Sequence, residues 1–149
     1  MNNTHYIRLG AMAILSFIAM FVLMYSMVDV FANVFVNLNQ FYMAALMAAP
    51  MVLIELALMS AMYPNKKWNV VIGAISAVAL ILFWFCIRQQ VAISDKQFLR
   101  SMIPHHAGAI LMCEKASMHD PEIKQLCHEI ISSQRREIDQ MKAKLNALR

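Results

Sequence analysis

Three long stretches almost without charge are the feature that most restricts what this chain can fold into. No charged residue lies within 9–28 or 68–87, and Glu55 is the only one within 30–65. Each stretch is apolar and about 20 residues long or longer, which is the length that a helix needs to cross a bilayer. We therefore expect three membrane-spanning helices. The predicted spans are 7–29, 41–62 and 69–91.

The last third of the chain has a different composition and is expected to form a helical hairpin. Most of the charged side chains lie here, although the chain as a whole is 60% hydrophobic. Asp120 followed by Pro121 is typical of a helix start, with Asp120 as the N-cap. Ser94 with Gln97 has the form of a capping box for the preceding helix. The two expected domains are a membrane region, 1–93, and the hairpin, 94–149.

The basic residues indicate how the spans are oriented. Arg8, Lys66 and Lys67 fall on one side of the predicted membrane region, whereas the link at 37–40 has no Lys or Arg. Because basic residues favour the cytoplasmic side, we expect a cytoplasmic N-terminus and a hairpin on the opposite side of the membrane. The net charge of +4 is small and scattered, so it gives no reason to expect a nucleic-acid partner.

The first helix of the hairpin carries an unusual set of side chains. At about 100° per residue, two histidines, two methionines and a cysteine share roughly a third of its circumference. These candidate ligands are Met102, His105, His106, Met112 and Cys113. Thioethers, thiols and imidazoles suit Cu(I) and other soft ions, although the same set is compatible with an ordinary packing stripe. One ion cannot reach all five residues, so we expect one histidine to join Met102 and Met112 around it.

Cys113 and Cys127 stand seven residues before and after Asp120. In an antiparallel hairpin this spacing places them at similar heights on facing helices. A disulfide in an oxidising compartment, a thiolate pair that binds metal and two buried thiols are all compatible with the pattern.

Two polar residues border the apolar stripe of the last helix. Gln134 and Glu137 lie at its edge, near Met141. They are either a solvated helix border or groups that orient a metal-binding histidine, as metal sites usually require.

The membrane region offers further candidates. Fourteen methionines are more than a core needs for filling gaps. Secondary candidates at the outer ends of the first two spans are Met24, Met27, Asp29, Met43 and Met47. They could relay a soft ion or merely fill lipid-facing positions. Glu55 is an acid near mid-span. Because a charged side chain inside a bilayer costs free energy, we treat it as a candidate functional residue.

Enzymatic activity is not expected. The sequence has no Glu-x-x-His motif of the kind that holds a di-iron centre in a helical bundle. It also lacks a Ser-His-Asp set and a Gly-rich nucleophile elbow.

Several runs of residues resemble a known family. In the hairpin they are Met102-Ile-Pro-His-His106, Ala109-Ile110, Asp120-Pro121, Leu126, Ile130-Ile131, Gln134-Arg-Arg-Glu-Ile138 and Met141. Upstream they are Met24-Tyr25 with Asp29, Pro50-Met51, Met62-Tyr-Pro-Asn-Lys-Lys67 and Arg88-Gln89. The chain thus resembles the bacterial domain-of-unknown-function 305 family, in its three-span membrane subgroup. It departs from the family pattern at Val30, where a histidine is expected, and at Glu55, where an apolar residue or methionine is expected.

The resemblance implies a ferritin-like fold, an association with copper or heavy-metal resistance, and a metal site on the outer side of the membrane. Because the family is bacterial, we expect the spans in a bacterial inner membrane and the hairpin in the periplasm or outside the cell. The positions carried over are Met102, His105, His106 and Met112.

We therefore expect an all-α protein with three transmembrane helices and a ferritin-like hairpin that completes a four-helix bundle with another copy. The residues expected to mediate that pairing are Leu126, Ile130, Ile138 and Met141. The expected function is periplasmic binding of copper as Cu(I) for resistance, buffering or handover, with membrane lipid and a copper-handling protein as partners. The alternative is a structural or regulatory membrane subunit that docks on a partner through the hairpin without metal.

Overall fold

The computed structural model describes residues 4–148 of the chain. Within that range the protein is all-α, as predicted. The helices are α1, Thr4–Leu23; α2, Leu38–Leu58; α3, Lys66–Gln89; α4, Asp95–Lys115; and α5, Pro121–Ala147. Short 3₁₀ turns lie at Met24–Met27, Phe31–Asn33 and Ser60–Met62.

Three segments are long and apolar enough to cross a membrane, judged by length and composition. They are Thr4–Met27, Leu38–Leu58 and Lys66–Gln89. Each begins three residues before its predicted start, because the first turn carries polar side chains that a hydropathy pattern does not include. In α3 this turn is capped by Asn65, whose side-chain oxygen accepts from the backbone N–H groups of Lys67 and Trp68.

The chain divides into two compact units. Among the described residues, one unit contains 4–23 and Asn39–Val91, and the other contains Met24–Leu38 and 92–148. The predicted boundary between residues 93 and 94 stays a prediction; the junction between Val91 and Ala92 lies two residues before it. Met24–Leu38, here called the strap, belongs with the hairpin although it lies between the first two long helices in the sequence.

The first unit combines apolar packing with a hydrogen-bonded polar end. Leu9, Val52 and Tyr63 form its buried cluster. At the polar end, the Tyr6 hydroxyl donates to Asn69 Oδ1 at 2.8 Å. The Asn69 side-chain amide in turn donates to the Tyr63 carbonyl at 2.8 Å, so the start of α3 is tied to the turn before it.

The core of the second unit lies between α4 and α5. Ile103, Ala107 and Ile110 recur at the spacing of one helix face and are almost completely buried. Ile138 and Leu145 of α5 pack against them. Ile138, predicted to pair with another copy, therefore lies inside the hairpin's own core, and that part of the predicted interface is wrong.

The strap covers part of the same core. Val28 and Phe35 pack against the buried cluster. A side-chain carbon at Gly108 would lie 3.4 Å from the backbone oxygen of Met27. The absence of a side chain at Gly108 therefore permits the backbone of the strap to approach α4 closely. The hairpin was expected to need a second copy because about 50 residues supply little core. The strap provides some of that cover within one chain.

Both hairpin helices begin where predicted, α4 after Ser94 and α5 after Asp120, but the predicted capping bonds are present only in α5. Asp120 caps α5, and its carboxylate accepts from the N–H groups of Glu122 and Ile123. Ser94 occupies the N-cap position of α4, but its side chain makes no capping bond. Gln97 Oε1 instead accepts from the Leu38 N–H at 3.1 Å, so the predicted capping box is replaced by a bond to the strap.

Candidate metal centre

Two neighbouring imidazoles on α4 form the centre of the candidate site. The ring centroids of His105 and His106 are 5.9 Å apart, and the rings are inclined at 58°. The His106 side chain is only 12% exposed, whereas His105 is exposed. Met102 is partly buried and lies three and four residues earlier, which places it one turn away on the same side of the helix.

Glu137 of α5 contacts the buried histidine. Its Oε2 lies 3.1 Å from His106 Nδ1, and its Oε1 accepts from the Ser133 hydroxyl at 2.7 Å. The Nδ1 contact is short, but its direction does not satisfy a hydrogen bond, so it is an electrostatic contact. The expected approach of Glu137 to a histidine is therefore present. That it orients a metal ligand stays a prediction.

Burial lowers the pKa of His106 below the ordinary value of 6.5. The charge of Glu137 acts in the opposite direction, and His105 lowers the pKa further. The folded protein therefore favours neutral His106, which is the form that binds a metal. Because the unfolded chain binds this proton more readily, the stability contributed by neutral His106 is complete above about pH 6.5 and is lost as the pH falls through the folded pKa.

Replacing Glu137 by glutamine is expected to lower the pKa of His106 further, because the substitution removes the charge that favours the imidazolium. Proton NMR of the His106 ring, followed during an acid titration, measures the change. Asp139→Asn is the matched control, since this acid is exposed on the same helix. An unchanged or raised His106 pKa in the Glu137 variant would show that the contact does not act electrostatically.

The structure does not bring Met112 to the same site. Met112 is 54% exposed, and α4 runs without interruption from Asp95 to Lys115. At 1.5 Å per residue, Met102 and Met112 lie about 15 Å apart along the axis. The predicted shell in which both thioethers join one histidine around a single ion is therefore wrong.

Cys113 also differs from the simplest expectation. It forms a disulfide with Cys127, with a Cα–Cα distance of 5.3 Å. Of the three arrangements that the sequence left open, the structure thus has the disulfide. Cys113 is not a thiolate in this state and does not belong to a site around His106.

The other two candidates on α5 have ordinary surroundings. Met141 packs against the hairpin core, and Gln134 is partly buried. Neither has a described contact with a histidine.

The secondary candidates near the membrane do not lie in one unit. Met24 and Met27 belong to the strap, whereas Met43 and Met47 are on α2 in the first unit. Asp29 Oδ1 accepts from the Asn33 side-chain amide at 2.6 Å and from the Val30 N–H at 2.7 Å. Its role within the described contacts is therefore to hold a turn of the strap.

Glu55 has a partner that was not anticipated. Its Oε1 accepts from the Tyr63 hydroxyl at 3.1 Å, and Tyr63 is buried just beyond the end of α2. The two residues are eight positions apart in the sequence, and this spacing alone does not indicate a contact. The contact gives the acid a structural partner near the end of its helix.

Within residues 4–148 no three His, Cys, Asp or Glu side chains are placed to hold one metal ion.

Fold and site together define an all-α protein with three possible membrane spans and a disulfide-closed helical hairpin. Residues 87–145 match the family described as "Domain of unknown function (DUF305)", and the chain belongs to that family. It is also 37% identical over 144 residues to an uncharacterised protein of Acanthamoeba polyphaga mimivirus, covering 92% of this chain and 93% of that protein. No solved structure matches the chain.

The family match covers the end of α3 and most of the hairpin, which is the part that carries the histidines. The viral relative extends the similarity over the long apolar helices as well. Because this relative is viral, the similarity does not assign the chain to a bacterium.

Proposed function

We propose that this protein is a membrane-anchored metal-binding protein that holds copper as Cu(I) on Met102, His105 and His106. Its role would be resistance, buffering or handover of the ion. The observation that carries the proposal is the contact between Glu137 and Nδ1 of a buried histidine on a helix with a second histidine and a thioether.

The chemistry of His106 supports this choice. With Glu137 beside Nδ1, Nε2 remains as the ring nitrogen available to a ligand, and carboxylates beside the opposite nitrogen commonly orient metal-binding histidines. Two imidazoles and a thioether suit Cu(I) or Ag(I) better than hard cations. The lowered pKa of His106 keeps the ring neutral at pH 7, so affinity should fall only when the pH drops below about 6.5.

Copper titration of the full-length protein in detergent tests the proposal. Replacing His106 or His105 by alanine should weaken Cu(I) binding at least about tenfold, and Glu137→Gln should weaken it about 10- to 100-fold through orientation of His106. Affinity is measured by competition with a chelator at pH 5 and pH 7. His119→Ala, in the loop between α4 and α5, is the control. Unchanged affinity in both histidine variants and in Met102→Ala, or tighter binding at pH 5, would rule the site out.

We also propose the orientation given by the basic residues, with the N-terminus in the cytoplasm and the hairpin outside the inner membrane. Two observations support it. Arg8, Lys66 and Lys67 lie near helix ends, and a disulfide closes the hairpin, as is usual in oxidising compartments. Labelling of Lys66→Cys but not Ala147→Cys by an impermeant thiol reagent in intact cells would reverse the orientation.

A second candidate function is docking through the hairpin, with another copy or a partner protein. It is supported by apolar side chains that the strap and core leave exposed. They are Phe98, Met112, Ile123 and Leu126. If the histidine variants bind copper normally, this function is favoured instead. A copper-handling partner protein would combine the two functions, because it would dock on the hairpin that holds the ion.

A further inference from the structure

The disulfide lies at a cavity with other soft or basic donors around it. The cavity has a volume of about 140 Å³. Besides Cys113 and Cys127, its walls include Met118, Lys124 and His128. Both types of ligand that suit soft ions, sulfur and imidazole, thus line one space together with a cation.

This cavity is separate from the histidine pair on α4. Cys113 follows His106 by seven residues on a continuous helix, which corresponds to about 10 Å along the axis. One ion cannot be bound at both places. The cavity would therefore be a second site with its own stoichiometry.

The oxidised cavity is a poor metal site, because a disulfide has no thiolate to offer. Reduction would supply two thiolates. Because the Cα atoms of Cys113 and Cys127 are only 5.3 Å apart, both sulfurs could then approach one ion at metal–sulfur distances of ~2.3 Å. Met118 comes from the loop between α4 and α5, and His128 from the turn of α5 that carries Cys127. Of these two residues, Met118 could add a third ligand through its sulfur.

We propose that reduction of the Cys113–Cys127 disulfide converts this cavity into a second binding site for Cu(I). The two thiolates are the main ligands, and the Met118 sulfur completes the shell. A complex of one Cu⁺ with two thiolates carries a charge of −1, and Lys124 in the cavity wall offsets that charge. The bond between the two cysteines is then a switch that decides whether this site exists.

The reactions balance with a dithiol as the reductant. A thioredoxin-type dithiol protein, or a small dithiol, supplies two electrons and two protons; the S–S bond breaks, two thiols form and the donor becomes a disulfide. Cu⁺ then displaces the two protons and forms two Cu–S bonds. In the reverse direction, the disulfide form of such a partner takes two electrons from the two thiolates and two protons from water and becomes a dithiol; the S–S bond of the hairpin forms again and Cu⁺ is released.

Comparison of the oxidised and reduced full-length protein tests the proposal. The protein in detergent is reduced with a small dithiol, freed of reductant without oxygen and titrated with Cu(I) against a chelator. We expect one additional equivalent in the reduced state, with a near-ultraviolet thiolate-to-copper absorption band. Equal stoichiometry in the two states, or no band, would overturn the proposal. Circular dichroism shows whether the reduced hairpin remains helical, and loss of helix with no added copper also counts against it.

Three variants separate this site from the histidine site. Cys113→Ser/Cys127→Ser should lack the additional equivalent under all conditions. His105→Ala/His106→Ala should keep it although the site proposed above is lost, so failure of one site is distinguishable from failure of the other. Cys86→Ala, in the other unit, is the thiol control and should retain the redox dependence. If the histidine double variant also loses the reduced-state equivalent, the two sites are not separate and the inference fails.

Discussion

Replacing Ile110 by alanine is expected to lower the free energy of unfolding of the hairpin unit by about 2–5 kcal/mol. Ile110 is 1% exposed and lies in the cluster that joins α4, α5 and the strap. The smaller side chain removes apolar contacts and leaves a cavity, because surrounding helices relax only in part. Hydrogen exchange of the α4 and α5 amides measures the loss unit by unit.

Ile123→Ala is the matched control for this prediction. It has the same change of side chain in the same hairpin, but Ile123 is 51% exposed. Substitutions at such positions usually change stability by less than about 0.5 kcal/mol. Equal losses for the two variants would contradict a core centred on Ile110.

Removing the disulfide is the second large perturbation. The double change Cys113→Ala/Cys127→Ala should lower the free energy of unfolding of the hairpin unit by about 3 kcal/mol, since it releases a closed loop of about 15 residues in the unfolded chain. The two cysteines are 14 residues apart in the sequence. The change in the free energy of unfolding is measured by chemical denaturation, with hydrogen exchange of the α4 and α5 amides as the readout.

Two comparisons test the cause of that loss. Reducing the wild-type protein should destabilise the hairpin by a similar amount, whereas Cys86→Ala should leave the hairpin unchanged, because Cys86 lies in the other unit. Full stability in the reduced wild-type protein would mean that the bond contributes nothing to folding.

The parts of the fold that local chemistry determines could be predicted from the sequence. Hydropathy located the three candidate spans to within about four residues at each end, and the Asp120-Pro121 pair located the start of α5. Helical periodicity placed Glu137 at the border of a stripe, from which it does reach a histidine. In each case the relevant partners lie on one helix or on two helices joined by a short loop.

The strap could not be predicted in this way. Residues 24–29 of the strap fall within the first predicted span, and the buried cluster that Val28 and Phe35 pack against begins about 70 residues later in the sequence. The one local signal, Gly108, gains its meaning only when Met27 is known to be its neighbour. Long-range packing of this kind leaves no period in the sequence.

Which of the candidate ligands on α4 lie close together also depends on packing that the sequence pattern does not give. Periodicity gave the correct relative angles on α4, but it did not say which face turns toward α5. In the structure the face of Ile103, Ala107 and Ile110 is buried. That face is centred about 100° from Met102. His106 lies at its border, where it meets Glu137, and Met112 is left on the outer side.

The position of the strap in the sequence has a consequence for the order of events during synthesis. The ribosome completes Val28 and Phe35 well before α4 and α5, which hold the residues they pack against. At about 5–20 residues per second, the strap waits on the order of 5–15 s for its partner. It must therefore dock late, after the hairpin has formed from its own neighbouring segments. A nascent chain stalled just beyond α3 would present an apolar loop with nothing to cover it, which is the kind of surface that quality-control proteases and chaperones recognise.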